Sequence, residues 1–238
     1  MARTNPNFGI DAPPVLAVFA GVTLVGVVLA FVPQVPFAFI PFLVIGVGTL
    51  ALMLHSSLRG KVVTRDRLLD RVGMRSGESV LDLGCGSGLM LLGAVSRGSD
   101  VTGVGVDLWR TVDQAGSDPE HCMDNARLLG VAGRVKLVNA DMSALPLPDD
   151  SADLVTACLA IHNIHDEDAR RRTLAEAARV LRPGGRLAII DFAKTGEYVR
   201  FARAAGFVDV RRSGYSLRMY PPVRTVTARL RDSAVSGS

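Results

Sequence analysis

The sequence predicts an α/β fold, a mostly parallel sheet of seven strands with helices on both faces, preceded by a two-helix transmembrane hairpin. Three observations carry that reading. From Pro13 to Leu54 there is no charged residue. From about Val63 onward, short apolar runs alternate with helical patterns. A glycine-rich turn follows the first of those runs, and acids stand at the ends of the next ones.

The hairpin comes first along the chain. Pro13–Val32 and Phe37–Leu54 are apolar segments of 20 and 18 residues. A helix of about 20 residues, at about 1.5 Å per residue, crosses a hydrocarbon core of about 30 Å. Between them, Pro33-Gln34-Val35-Pro36 cannot continue either helix, so the pair folds back on itself. Arg59, Lys61, Arg65, Arg67, Arg71 and Arg75 follow, opposed only by Asp66 and Asp70, while Arg3 flanks the other end. The positive-inside rule then places the α/β domain and both termini in the cytoplasm, with the basic stretch against anionic headgroups. A cleaved signal peptide fits less well, because the first span is long for one and a second span follows directly. Pro41, Gly46 and Gly48 leave a re-entrant path open for the second segment. The expected division is a tail at 1–12, the hairpin at 13–55, the α/β domain at 56–231 and a disordered tail at 232–238.

Composition narrows the partners. The net charge of +4 is modest and its basic residues cluster beside the apolar segment, so a lipid bilayer is the expected partner and nucleic acid is not. Cys85, Cys122 and Cys158 have neither metal spacing nor a disulfide framework, which fits buried thiols in a reducing compartment.

Within the domain, strands are expected at Ser79–Leu83, Val101–Asp107, Val135–Asn139, Asp153–Ala157, Arg186–Asp191, Val208–Arg212 and Val223–Arg229. Helices are expected at about Gly88–Arg97, Pro119–Leu129, Asp166–Leu181, closed by Pro183-Gly184-Gly185, and Gly196–Ala205. The last two strands have no helix between them, so one antiparallel strand is expected there.

The segment Val80-Leu-Asp-Leu-Gly-Cys-Gly-Ser-Gly88 bears the most chemistry. Glycines 84, 86 and 88 let the backbone approach a ligand at the carboxyl edge of the sheet. The third glycine comes one residue too early for G-x-G-x-x-G, and no Walker lysine is present. Asp82 suits a cationic ligand better than a pyrophosphate. Asp107, at the end of the second strand, stands where an acid bonds a ribose diol, and Asp141 follows the third strand at the same edge.

The stretch from Glu78 to Asp191 resembles the class I S-adenosylmethionine-dependent methyltransferases, in style nearest the ubiquinone and menaquinone branch. The resembling residues are VLDLGCGSG (80–88), GVGVD (103–107), NADMSALPLPDDSADLV (139–155) and VLRPGGRL (180–187). The resemblance implies a Rossmann-like seven-stranded sheet with a reversed last hairpin, and S-adenosyl-L-methionine as cofactor. It implies that Asp82, Gly84, Gly86 and Gly88, with Cys85 in the same turn, surround the methionyl part. Asp107 would bind the ribose with Leu108 beside the adenine, Asp141 the adenine amino group with Met142 flanking, and Leu159 would lie near the sulfonium.

Three features depart from the family pattern. A long loop, Leu108–Asp118, carries Trp109, which either lines the pocket or packs as core. Ala160-Ile-His-Asn-Ile-His-Asp166 follows the fourth strand; His162, and less strongly His165, are candidate bases, with Asp166 able to orient either. The bland alternative is a helix cap at 163–166 with His162 as pocket wall. No metal site is expected. The hairpin is the third departure, and it points to a small lipophilic methyl acceptor entering from the bilayer. Tyr198, Tyr215 and Tyr220 are expected to be structural, in a region that can also wall such a pocket. Methylation of a protein or nucleic acid, and non-catalytic cofactor binding, stay open as alternatives; the atom methylated and the oligomeric state are not legible.

Overall fold

The structure is a computed structural model that describes residues 6–9, 13–30, 40–109 and 118–232. The proline link at 33–36, most of the loop after Trp109 and the final tail lie outside the described residues.

Two apolar helices, α1 (Pro13–Leu29) and α2 (Ile40–His55), pack together first. A side chain at Gly26 would meet Leu43, and one at Gly46 would meet Thr23 Oγ1, so the two run antiparallel. The helix α1 is 17 residues long, three short of the 20-residue segment read from sequence. By length and composition the one spanning candidate among the described residues is Leu43–Arg71. That helix does not stop where the apolar residues do. One wide turn of π-helix, Ser56–Gly60, leads without a break into α3 (Lys61–Arg71). The expected domain boundary at residue 55 thus falls inside a continuous helix. A side chain at Gly60 would lie 1.8 Å from the carbonyl oxygen of Arg218, so glycine lets the distant loop seat on the wide turn. Tyr220 N donates to Ser56 Oγ (2.9 Å) at the same place.

The sheet is built from β1 (Ser79–Leu83), β2 (Thr102–Asp107), β3 (Val135–Asn139), β4 (Ala152–Cys158), β5 (Leu181–Asp191), β6 (Phe207–Arg212) and β7 (Arg224–Leu230). Their order is β3-β2-β1-β4-β5-β7-β6, with β7 antiparallel to both neighbours and the other pairs parallel. The remaining helices are α4 (Leu89–Val95), α5 (Pro119–Leu128), α6 (Glu167–Val180) and α7 (Thr195–Ala204). Alternate side chains of a strand face opposite ways. Leu81, Leu83, Val155, Leu187 and Ile189 therefore meet α6 and α7, while Val80, Leu154, Ala188 and Ile190 meet α3, α4 and α5.

Most boundaries lie within a residue or two of expectation. The exception is Pro183-Gly184-Gly185, read as the turn closing a helix. Ala152 pairs with Leu181 and Leu154 with Arg186, so these residues form a bulge within β5. The helix gives way to strand at once, at Leu181.

Candidate active site

The strand order reverses between β1 and β4, and in open α/β sheets ligands bind at such a switch point, beyond the carboxyl ends of the strands. A cavity of about 630 Å³ lies there, within the range of pockets that hold cofactor-sized ligands. Asp82, Gly84, Cys85, Gly86, Asp107, Leu108, Asp141, Met142, Leu159, His162 and His165 all line it. Of the residues expected at the site only Gly88 does not. It takes a left-handed conformation (φ +89°) at the start of α4, where a side chain would meet Leu92 and Cys122. Its part is to turn the chain tightly. Gly84 is left-handed too, and a Cβ there would lie 2.4 Å from that of Ala160.

The three strand-end acids do different work. Asp82 is buried, accepting from Leu91 N (3.0 Å) and Thr156 Oγ1 (2.7 Å). Burial pushes its carboxyl up to about 7, against the pull of those two hydrogen bonds. Both oxygens are committed, so Asp82 pins the glycine turn between β1 and α4 more than it offers charge to a cation. Asp107 accepts from Gly86 N (2.9 Å) and Trp109 N (2.8 Å). A carboxylate has about four acceptor sites, so lone pairs remain for a ribose diol. Asp141 accepts from Ser143 N (2.8 Å) in the turn after β3. The thiol of Cys85 is held well above its usual range by its hydrogen bond with Cys122 and by burial, which makes it an inert wall.

Beyond β4 the expectations divide. Asp166 orients neither histidine. It caps α6, accepting from Asp168 N (3.2 Å) and Ala169 N (3.1 Å), and His165 is exposed. The carboxylate beside His162 is Asp191, at the end of β5. His162 Nδ1 lies 2.9 Å from Asp191 Oδ1, at an angle short of a good hydrogen bond. Asp191 is fully buried and accepts from Phe192 N (2.8 Å) and from Tyr198 Oη (3.0 Å). The Phe192 ring lies 4.4 Å from the imidazole, tilted by 57°. The sequence signal for Asp191 was the one already used for Asp107, an acid ending a strand at the ligand edge.

Other features had no sequence signal. Pro6–Gly9 forms a strap against the glycine turn. Ser87 Oγ and Lys61 Nζ donate to the Phe8 carbonyl (3.0 and 2.9 Å), and Asn125 Nδ2 donates to that of Asn7 (2.9 Å). Phe8 lines the cavity with Val15 and Met53 of the apolar helices and with Met219, Tyr220 and Pro221 of the β6–β7 loop. Trp109 packs on the core beneath α4 and α5 and is not among the lining residues, while Tyr215 lies exposed under the Arg224 guanidinium (3.9 Å).

Comparison with known proteins follows the same division. Residues 81–189 match the profile of a family described as "Methyltransferase domain". The chain is 37% identical over 127 residues to 27-O-demethylrifamycin SV methyltransferase of Amycolatopsis mediterranei, covering 53% of this chain and 43% of that one. It is 36% identical over 128 residues to the ubiquinone/menaquinone biosynthesis C-methyltransferase UbiE of Escherichia coli, covering 53% and 47%. The chain thus spans less than half the length of either relative. Among solved structures, a SAM-dependent methyltransferase from Aquifex aeolicus shares the fold, with TM-score 0.57 and 21% identity over 74% of this chain and 95% of that one. Residues 81–189 thus match a methyltransferase domain in sequence, the sheet shares the fold of solved methyltransferases, and S-adenosylmethionine is the cofactor that the comparisons support.

Proposed function

We propose that the protein is a membrane-held, S-adenosylmethionine-dependent methyltransferase acting on a small lipophilic acceptor. The observation that carries this reading is a single cavity with two kinds of wall. One side is the glycine turn with Asp107 and Asp141; another is apolar helix, with Val15 and Met53. A water-soluble acceptor would not need such a wall.

The apolar helices support a bilayer location in a second way. Val18, Leu24, Val44 and Ile45 are each 63–65% exposed, a surface that water does not favour. Near the base, Leu58 and Leu217 stand exposed beside the exposed side chains of Arg59 and Arg218, the mix of residues found at membrane interfaces. In this reading residues 13–55 enter the membrane, residues 56–231 form the catalytic domain, and the basic residues from Arg59 onward keep that domain and both termini on the cytoplasmic side. Tails at 1–12 and 232–238 complete the division.

S-adenosylmethionine supplies a methyl group already activated on a sulfonium. The protein's task is then alignment, which is worth up to about 7–11 kcal/mol in oriented reactions. Gly84, Gly86 and Cys85 make room for the methionyl part, Asp107 and Leu108 hold the ribose and adenine edge, and Asp141 and Met142 the adenine. Leu159 and His162 face the transfer region, with His162 as base ahead of the exposed His165.

Calorimetry on the detergent-solubilised chain tests this reading. S-adenosylmethionine is expected to bind and NAD is not, and Asp107→Ala is expected to weaken binding at least about tenfold, the loss of one charged hydrogen-bond partner. A folded protein that does not bind S-adenosylmethionine sinks the proposal.

A further inference from the structure

We infer that Asp191, clamped by Tyr198, is a positioning residue that holds His162 with Nε2 as the proton acceptor, and that the methyl acceptor is therefore a protic one, an alcohol, phenol or enol. The inference deepens the methyltransferase reading and rests on it.

The argument begins with a buried nitrogen. Among the described residues, His162 Nδ1 has no hydrogen-bond partner, yet it lies 2.9 Å from a carboxylate oxygen that is itself fully buried. Two lone pairs that close would repel, so Nδ1 carries the proton and the neutral ring keeps its lone pair on Nε2. Asp191 cannot turn away. Its Oδ1 also accepts from Phe192 N and Ala193 N, and its Oδ2 accepts from the hydroxyl of Tyr198, a residue with no exposed surface. The tilted Phe192 ring limits rotation of the imidazole. Other charged groups nearby are engaged elsewhere. Arg170 pairs with Glu197 (2.7 Å) and donates to the carbonyls of Ile164 and His165, and Lys194 Nζ reaches the Ile164 carbonyl. Asp166 caps its helix.

A histidine that only walled the pocket would not need a fixed tautomer. A base does. The proton of the acceptor's O–H passes to His162 Nε2 as the oxygen's electron pair forms the new bond to the methyl carbon. The sulfonium sulfur keeps the pair of the bond that breaks and becomes a neutral thioether, and the imidazolium returns its proton to water. Nothing beyond acceptor and cofactor is consumed.

The test is nitrogen-15 NMR of the histidine rings in the full detergent-solubilised chain, with the His162 signals assigned by their loss in His162→Gln. In the neutral ring, His162 is expected as the Nδ1–H tautomer. In Asp191→Ala/Tyr198→Phe, which removes both buried partners together, it is expected to shift toward Nε2–H, the form free histidine prefers. Nε2–H in the unmutated chain, or the same tautomer in both, overturns the role of Asp191. For the acceptor class, 4-octylphenol is expected to shift the Nε2 resonance and its methyl ether to leave it in place. Equal shifts, or none from either, overturn that part. Calorimetry with S-adenosylmethionine on the same samples separates the two layers. Absent binding sinks the methyltransferase reading, whereas binding with the wrong tautomer sinks only this one.

Discussion

The sheet and the helical hairpin are both rich in apolar side chains, but they dispose of them in opposite ways. In the sheet, Leu81, Val155, Leu187 and Ile189 point to one layer of helices and Val80, Leu154 and Ile190 to the other, all 2% exposed or less. In the hairpin, Val18, Leu24, Val44 and Ile45 point outward. Burial out of water stabilises by about 25 cal/mol per Å² of apolar surface. The domain collects that stabilisation inside its own fold, while the hairpin leaves it to be collected from something else. The difference explains why a single apolar count over the chain is a poor guide to its core.

Glycine exposes the same contrast, and it gives the largest expected effect. Gly84 is left-handed at φ +68°, and any Cβ there runs into Ala160 at 2.4 Å and Met142 at 3.3 Å. Gly84→Ala is expected to cost about 3 kcal/mol from backbone strain and overpacking together. Binding of S-adenosylmethionine should be lost even where the protein remains folded, because the clash lies in the cavity wall. Thermal unfolding and calorimetry on the same sample check both halves; near-normal binding would mean that the turn does not carry the cofactor.

A charge placed in the outward-facing apolar surface comes next. Val22 is 52% exposed near the middle of α1. Lysine at the centre of a membrane helix costs about 2.5–3.5 kcal/mol. Val22→Lys should lower the fraction of protein that stays with membranes after alkaline washing, and it should leave the unfolding temperature of the domain unchanged. Unchanged retention would remove the bilayer from this surface. A lowered unfolding temperature would mean instead that α1 belongs to the domain's own core.

The two regions were not equally legible in the sequence. Short apolar runs at Val80–Leu83 and Leu187–Ile190, and strand-end acids at Asp107 and Asp141, were readable because short-range geometry fixes them. The continuity of Ile40–Arg71 was not, because the change from apolar to basic residues looks like an end while the backbone hydrogen bonds continue through a wide turn. Nor was the bulge at Pro183-Gly184-Gly185 within β5. A proline and two glycines read as a stop, and only pairing with β4 holds them in the strand. At the site, Asp166 is four residues from His162 and Asp191 is far along the chain, so proximity in sequence chose the wrong partner. The strap at 6–9 depends wholly on long-range contacts to Lys61, Ser87 and Asn125.

Buried charge marks the sheet off from the hairpin and gives a smaller effect with a definite sign. Burial raises the carboxyl of Asp82 to about 7 in the folded state. A free aspartate titrates near 3.9, so between those values the native protein binds the extra proton. Stability from this group is then present at acid pH, falls as pH rises toward about 7, and is flat above it. The slope is at most about 1.4 kcal/mol per pH unit. Asp82→Asn cannot titrate, so the stability difference between unmutated protein and variant should shrink over that window in urea unfolding. A difference independent of pH would mean that water reaches this carboxylate.

The smallest expected effect is the sharpest probe of what surrounds the hairpin. A side chain at Gly105, in β2, would lie 2.6 Å from Cys85 Sγ and 2.8 Å from Leu91, and Gly105→Ala is expected to cost about 1–3 kcal/mol. At Gly48, in the middle of α2, a side chain would meet nothing within 4 Å. Alanine is the better helix former by up to about 1 kcal/mol, so Gly48→Ala should leave stability unchanged or raise it slightly. Lipid chains adjust to one methyl group, but a closely packed helix does not, since small residues are what allow two helix backbones to approach. If Gly48→Ala proved as costly as Gly105→Ala, the surface around Gly48 would be covered by protein, and the outward-facing half of the hairpin would have to be read as a helix–helix interface.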